Sequence, residues 1–175
     1  MGLLTPELAA RIGETASYTA PEELGRAAIR YFALAVGDYN PLYVDKNAAN
    51  RAGYRDVVAP PTLIAETNQY MIGPRNDEGY MGHGWGIEIP DTRLVRGGNE
   101  YEFFQPVHPD DVVTATWEIV DAIERTTSKG VEMLIVTSRA TYTNQSNEKL
   151  MTNTETLIWT ALPQKAATSD SEGAA

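Results

Sequence analysis

With 175 residues and 42% hydrophobic content, the chain is sized for one ordinary domain with one real core. Its 24 acidic against 14 basic residues give a net charge of -10, a field that repels phosphates and excludes general gripping of nucleic acid or an anionic membrane. No cysteine is present, which excludes disulfides, thiolate metal sites and thiol nucleophiles.

The first residues, MGLLTPELAARIGE, break at Pro6 and turn polar. Neither a signal core nor a membrane helix of ~20 apolar residues is expected, and the expected location is the cytoplasm. Residues 1–15 read as a lead and 16–164 as one domain; the tail from Lys165, KAATSDSEGAA, has no large apolar residue and reads as disordered. SYTAPEELGRAAIRYFALAVGD predicts a strand and then a helix: Thr19 suits the cap, Pro21 the first turn, and Glu22 and Glu23 its positive end. Leu24, Ala28, Tyr31, Phe32 and Ala35 fall on one stripe of that helix, which Gly37 ends. DKNAANRAG predicts a short helix stopped by Gly53. VVAPPTLIAETNQYMIG predicts a third, mostly apolar and buried helix opening at the double proline.

The second half changes period. TRLVRGGNEYEFFQPV, DVVTATWEIVDAIER, VEMLIVTSRATYTNQ and KLMTNTETLIWTALP are β-branched and alternating, and predict a four-strand antiparallel meander. Turn formers separate the strands at His108-Pro109-Asp110-Asp111, Ser128-Lys129-Gly130 and Gln145-Ser146-Asn147-Glu148. Helices before a sheet make an α+β domain in which one sheet face must be buried, and the apolar helix is the natural filler.

Over FALAVGDYNPLYVDKNAANRAGYRDVVAPPTLI, and again through LVRGGNEYEFFQPVHPDDVV, the chain resembles the MaoC-like hydratases and dehydratases of acyl thioesters, nearest their N-terminal, or FAS1-like, dehydratase branch. The likeness runs from roughly Ala16 to Leu162. It implies the hot-dog fold, an antiparallel sheet wrapped around a long central helix. It also implies interconversion of 2-enoyl and 3-hydroxyacyl thioesters carried on coenzyme A or an acyl carrier protein, with no cofactor of the protein's own and no metal.

The resemblance places a catalytic loop in GDYNPLYVD. In the family an acid and an imidazole grip one water and move a proton to or from the acyl α-carbon. Asp38 matches the acid and Asn40 its neighbouring amide, while Tyr43 stands where the histidine belongs. A phenol is neutral near pH 7 and donates a hydrogen bond, but it is no substitute for a base poised near neutrality. In the family a glycine N–H at the start of the central helix polarises the thioester carbonyl. Here that place is taken by Pro61, which has no N–H, so Thr62 is the first donor. Each feature also has a plain structural reading: Pro60 and Pro61 as a helix start, Tyr43 as a half-buried aromatic, and Asp38 as a loop stabiliser through backbone N–H groups.

The chain's two histidines are His83 and His108. His108, in the turn PVHPDDV, is expected to be exposed and idle. His83, in YMGHGWGIEIP, sits in a Gly-rich loop that could drape over a substrate tunnel and return an imidazole to Asp38. By the resemblance, Arg96 occupies a position where relatives in this branch often carry histidine. Lys46, Arg51 and Arg55 flank the loop, and with Arg93 and Arg96 they form a candidate group for the phosphates of coenzyme A or a phosphopantetheine arm, or else are ordinary surface charges.

Several functions stay open at this level. One is a hydratase or dehydratase using Asp38, Asn40, Tyr43 and Thr62; another is a non-catalytic, substrate-binding subunit of a heteromeric dehydratase; a thioesterase on the same fold is third. A lone hot-dog sheet leaves an edge strand unpaired, so a homodimer, or a heterodimer with a related hot-dog chain, is expected.

Overall fold

The computed structural model describes residues 2–67 and 83–163. Its framework is a five-stranded antiparallel sheet in the order β1-β3-β4-β5-β2, with β1 Thr15–Thr19, β2 Thr92–Phe103, β3 Thr114–Thr126, β4 Glu132–Thr143 and β5 Lys149–Ala161. Strands β3, β4 and β5 follow one another as a meander, as their alternation predicts. Their turns are the expected ones: Gly130 takes a left-handed φ of 77° between β3 and β4, and Asn144 Oδ1 accepts the N–H groups of Ser146 and Glu148 between β4 and β5.

Strand β2 departs from the expected order: it pairs with β5, from Thr92↔Ala161 to Phe103↔Met151, and does not neighbour β3. The reason lies in the segment after it. Phe104 N–H is still bonded to Leu150 O, but Val107 O then accepts from Ala59, and Pro109 O and Asp111 O accept from Gly25 and Leu24. The stretch with His108 and Pro109 is therefore a crossing from the β2 edge to β3, beside the opposite edge, where a hairpin was expected.

The same bonds move the start of the first long helix. Helix α2 spans Arg26–Ala35, five residues later than Pro21 suggested. The N–H groups of Ala20, Leu24 and Gly25 are already committed to Val113, Asp111 and Pro109, and Gly25, at φ 77°, makes the bend into the helix. Its buried stripe is Ile29 and Ala33, with Phe32 and Leu24 partly buried beside it, whereas Tyr31 is 62% exposed. The stripe is thus rotated away from the predicted one. Before β1, helix α1 (Pro6–Ala9) is capped by Thr5, and Leu8 packs with Ile119, Ala122 and Leu134, with Leu3 and Leu4 beside it.

Helix α3 (Lys46–Arg51) is as predicted: the Asp45 carboxylate caps it through Asn47 N–H at 2.8 Å, and Gly53 follows at φ 93°. Helix α4 (Leu63–Thr67) opens just after the double proline, and Leu63 and Ile64 are buried. The rest of the predicted apolar helix, and the tail from Lys165, lie outside the described residues. No described helix is long and apolar enough to cross a membrane.

Candidate active site

The loop after α2 is built by local hydrogen bonds. Gly37 takes a φ of 73°, and Asp38 N–H then reaches Ala33 O at 2.9 Å, closing the helix end. Asp38 Oδ1 accepts Asn40 N–H (3.0 Å), and Asn40 Oδ1 accepts Leu42 N–H (3.1 Å), starting a 3-10 turn over Pro41–Tyr43. Each side chain therefore spends one oxygen on its own loop, which is the structural role open to them from the sequence.

Tyr43 is buried and brings the group together. The side chains of Asp38 and Asn40 lie close enough to its hydroxyl to bear on its ionisation. Burial pushes the phenol above its usual range, the Asp38 charge pushes the same way, and the nearby Asn40 amide works against them. At neutral pH Tyr43 is a firm hydrogen-bond donor and a very poor proton acceptor.

Beside Tyr43 lies a largely apolar cavity of about 340 Å³, walled also by Tyr54, Pro61, Ile64, Phe103 and Met151. Sequence reasoning had marked Tyr43 and Pro61 but not the other four, which reach the cavity from separate segments. Pro61, which has no N–H, lines this cavity. Thr62 turns its carbonyl to Ala65 N–H at 3.1 Å, and its own N–H has no hydrogen-bond partner in the described structure.

Neither imidazole reaches this group. His83 Nδ1 is 2.8 Å from the Tyr18 hydroxyl on β1, and its ring stacks on Trp117 and meets the edge of Trp85. Burial lowers its pKa to about 4, against a small opposing pull from Glu14, so it is neutral near pH 7. The return of an imidazole to Asp38 is not realised within the chain. His108, expected to be exposed, is buried: Nδ1–H donates to Val57 O at 3.1 Å, and its backbone N–H donates to Asp111 Oδ2 at 2.7 Å. The crossing segment it sits on is pressed between the sheet and residues 57–59, a tertiary fact with no local signature.

The predicted cation group is divided. Arg55 pairs with Asp110 and Asp111, Lys46 with Asp56 at 3.4 Å, and Arg96 with Glu155 across the β2–β5 ladder at 2.9 Å. Burial raises the Glu155 pKa and the nearby Arg96 charge opposes it. Arg93 is exposed on β2 opposite Thr160.

Comparison with known proteins bears on this geometry. The profile of the FAS1-like, dehydratase domain region matches residues 10–153. The chain belongs to that family. A UPF0336 protein of Streptomyces coelicolor is 32% identical over 156 residues, covering 89% of this chain and 93% of that one. Among solved structures, the truncated HadBC (3R-hydroxyacyl-ACP dehydratase) complex of Mycobacterium tuberculosis is 26% identical, with a TM-score of 0.56, over 82% of this chain and 95% of that one. A MaoC-like dehydratase of Rhodospirillum rubrum is 20% identical with a TM-score of 0.63, over 93% of this chain and 99% of that one. The fold of this FAS1-like dehydratase-family chain is the hot-dog fold of MaoC-like proteins, as the resemblance in the loop and in the strand-and-turn segment implied.

Proposed function

We propose that this chain is the acyl-binding half of a hydro-lyase that interconverts 2-enoyl and 3-hydroxyacyl thioesters, working beside a related hot-dog chain that supplies the imidazole. The observation that carries this reading is the apolar cavity with Tyr43 at its wall, Asp38 and Asn40 behind it in the same loop, and both histidines locked elsewhere. Removing water from a 3-hydroxyacyl thioester needs a base for the α-proton, an acid for the departing hydroxyl, and a donor for the thioester oxygen. Tyr43 serves as a donor, but a buried phenol beside a carboxylate does not take up the α-proton. The similar HadBC structure is itself a complex, named for a 3-hydroxyacyl dehydratase, which supports a two-chain arrangement.

A second reading, a self-sufficient hydratase, draws support from the way one short loop holds Asp38, Asn40 and Tyr43 near one another. There Asp38 moves the proton, Asn40 holds the water, and Thr62 assists the carbonyl. Hydration of a trans-2-enoyl thioester, measured with the purified chain alone and after co-purification with a hot-dog chain carrying both Asp and His, separates the two. The first reading expects turnover only in the pair. Full turnover by the chain alone refutes it, and release of free thiol would mark a thioesterase instead.

A further inference from the structure

Tyr43 borders a second cavity, of about 310 Å³, lined by Arg26 and Arg30 of α2 together with Val44 and Val57. The two arginines are four residues apart, so they share one helix face. Arg26 is held in place: Nε and Nη2 donate to the two oxygens of Asp56 at 3.1 and 2.5 Å, and Asp56 also draws in Lys46. Arg30 has no carboxylate partner among the described residues and lies over the Tyr31 ring, 5.1 Å from its centre. Arg26 and Lys46 thus share one carboxylate while Arg30 lines the same cavity as Arg26, a cluster of cations on a chain whose net charge is -10.

The position of the cluster matters as much as its sign. Tyr43 lines both this cavity and the apolar one, and a ligand that occupied both would run past its ring. It would carry an anionic head, a hydrogen-bonding middle and an apolar end. We infer that the Arg26–Arg30 cavity binds the phosphate of the pantetheine arm that carries the acyl thioester. This inference rests on the acyl-thioester reading and assigns the arm's anchor to residues that the cation group read from the sequence did not contain. A planar guanidinium matches a phosphate through paired N–H donors, and Arg30 is free to do so. The arm's phosphate has two sources, free coenzyme A and an acyl carrier protein.

The test is calorimetric titration of the full chain with 4′-phosphopantetheine and with pantetheine, which lacks the phosphate. Wild type is expected to prefer the phosphorylated form by about tenfold, and Arg30→Ala to lose most of that preference while Arg30→Lys retains part of it. Arg30 is exposed, so the substitution leaves the core intact. Equal affinities for the two ligands in wild type, or a preference unchanged in Arg30→Ala, overturns the inference. Parallel titrations with coenzyme A and with holo acyl carrier protein identify the source by which one loses more affinity in Arg30→Ala. Decanoyl-pantetheine, an acyl thioester without phosphate, separates the inference from the reading beneath it. If it binds and no phosphate preference exists, only the arginine site fails; if it does not bind while the preference holds, the acyl reading fails.

Discussion

Acidification should destabilise this protein through His83, and the size of the effect follows from the ring's surroundings. The folded-state pKa is about 4 against 6.5 for an unperturbed histidine, with burial as the main cause. A group whose folded pKa is depressed binds more protons when unfolded, so its contribution is present above about pH 6.5 and is lost as pH falls toward 4. The full difference corresponds to at most about 3.4 kcal/mol. His83 keeps partial contact with water, which screens the penalty, so roughly half survives, ~1.5–2 kcal/mol. In His83→Phe the ring still packs on Trp117 and Trp85, the hydrogen bond to Tyr18 is lost, and titration is abolished. The variant should therefore be about 1 kcal/mol less stable at pH 7.5. By pH 4 it should match or exceed wild type. Urea melts across this range, followed by the fluorescence of tryptophans that flank the ring, measure both curves. Glu155 also titrates abnormally, in the opposite sense, but equally in the two proteins, so their difference reports His83 together with its weak coupling to Glu14. Parallel pH dependences in wild type and variant would refute the burial argument.

Asp38→Ala should abolish turnover of the active assembly if this loop takes part in chemistry, while lowering chain stability by less than about 1 kcal/mol, since one loop hydrogen bond to Asn40 N–H and one contact with Tyr43 are lost. Retained turnover in a steady-state assay would assign Asp38 to loop structure alone. Tyr43→His is expected to add little activity to the isolated chain, because Pro61 still offers no N–H; a large gain from the single change, without Pro61→Gly, would contradict that view. Strand β2 is a long edge with Leu94 and Phe103 about half exposed, and we expect it to join a second hot-dog chain. Light scattering should show a dimer that Leu94→Lys with Phe103→Lys dissociates, and a wild-type monomer at micromolar concentration would sink the expectation.

The sequence determined what depends on near neighbours. Alternation in β2 to β5 is a property of each strand, so all four were legible to within a few residues. The loop GDYNPLYVD was legible for the same reason: Asp38, Asn40 and Asp45 each bond a backbone N–H two residues on, and Gly37 adopts the left-handed bend that ends α2. Tertiary structure alone decided which strand β2 would pair with, because that follows from the path of residues 104–113 across the sheet. It also fixed the start of α2, since the N–H groups before Arg26 are satisfied by a segment some ninety residues away. His108 was misread as exposed because its partner, Val57 O, is 51 positions distant. His83 sits in a loop whose sequence is silent about Tyr18 and Trp117. The candidate site divides along the same line. Its polar group is one short run of chain, whereas its cavity walls come from segments that only burial of the apolar surface brings together.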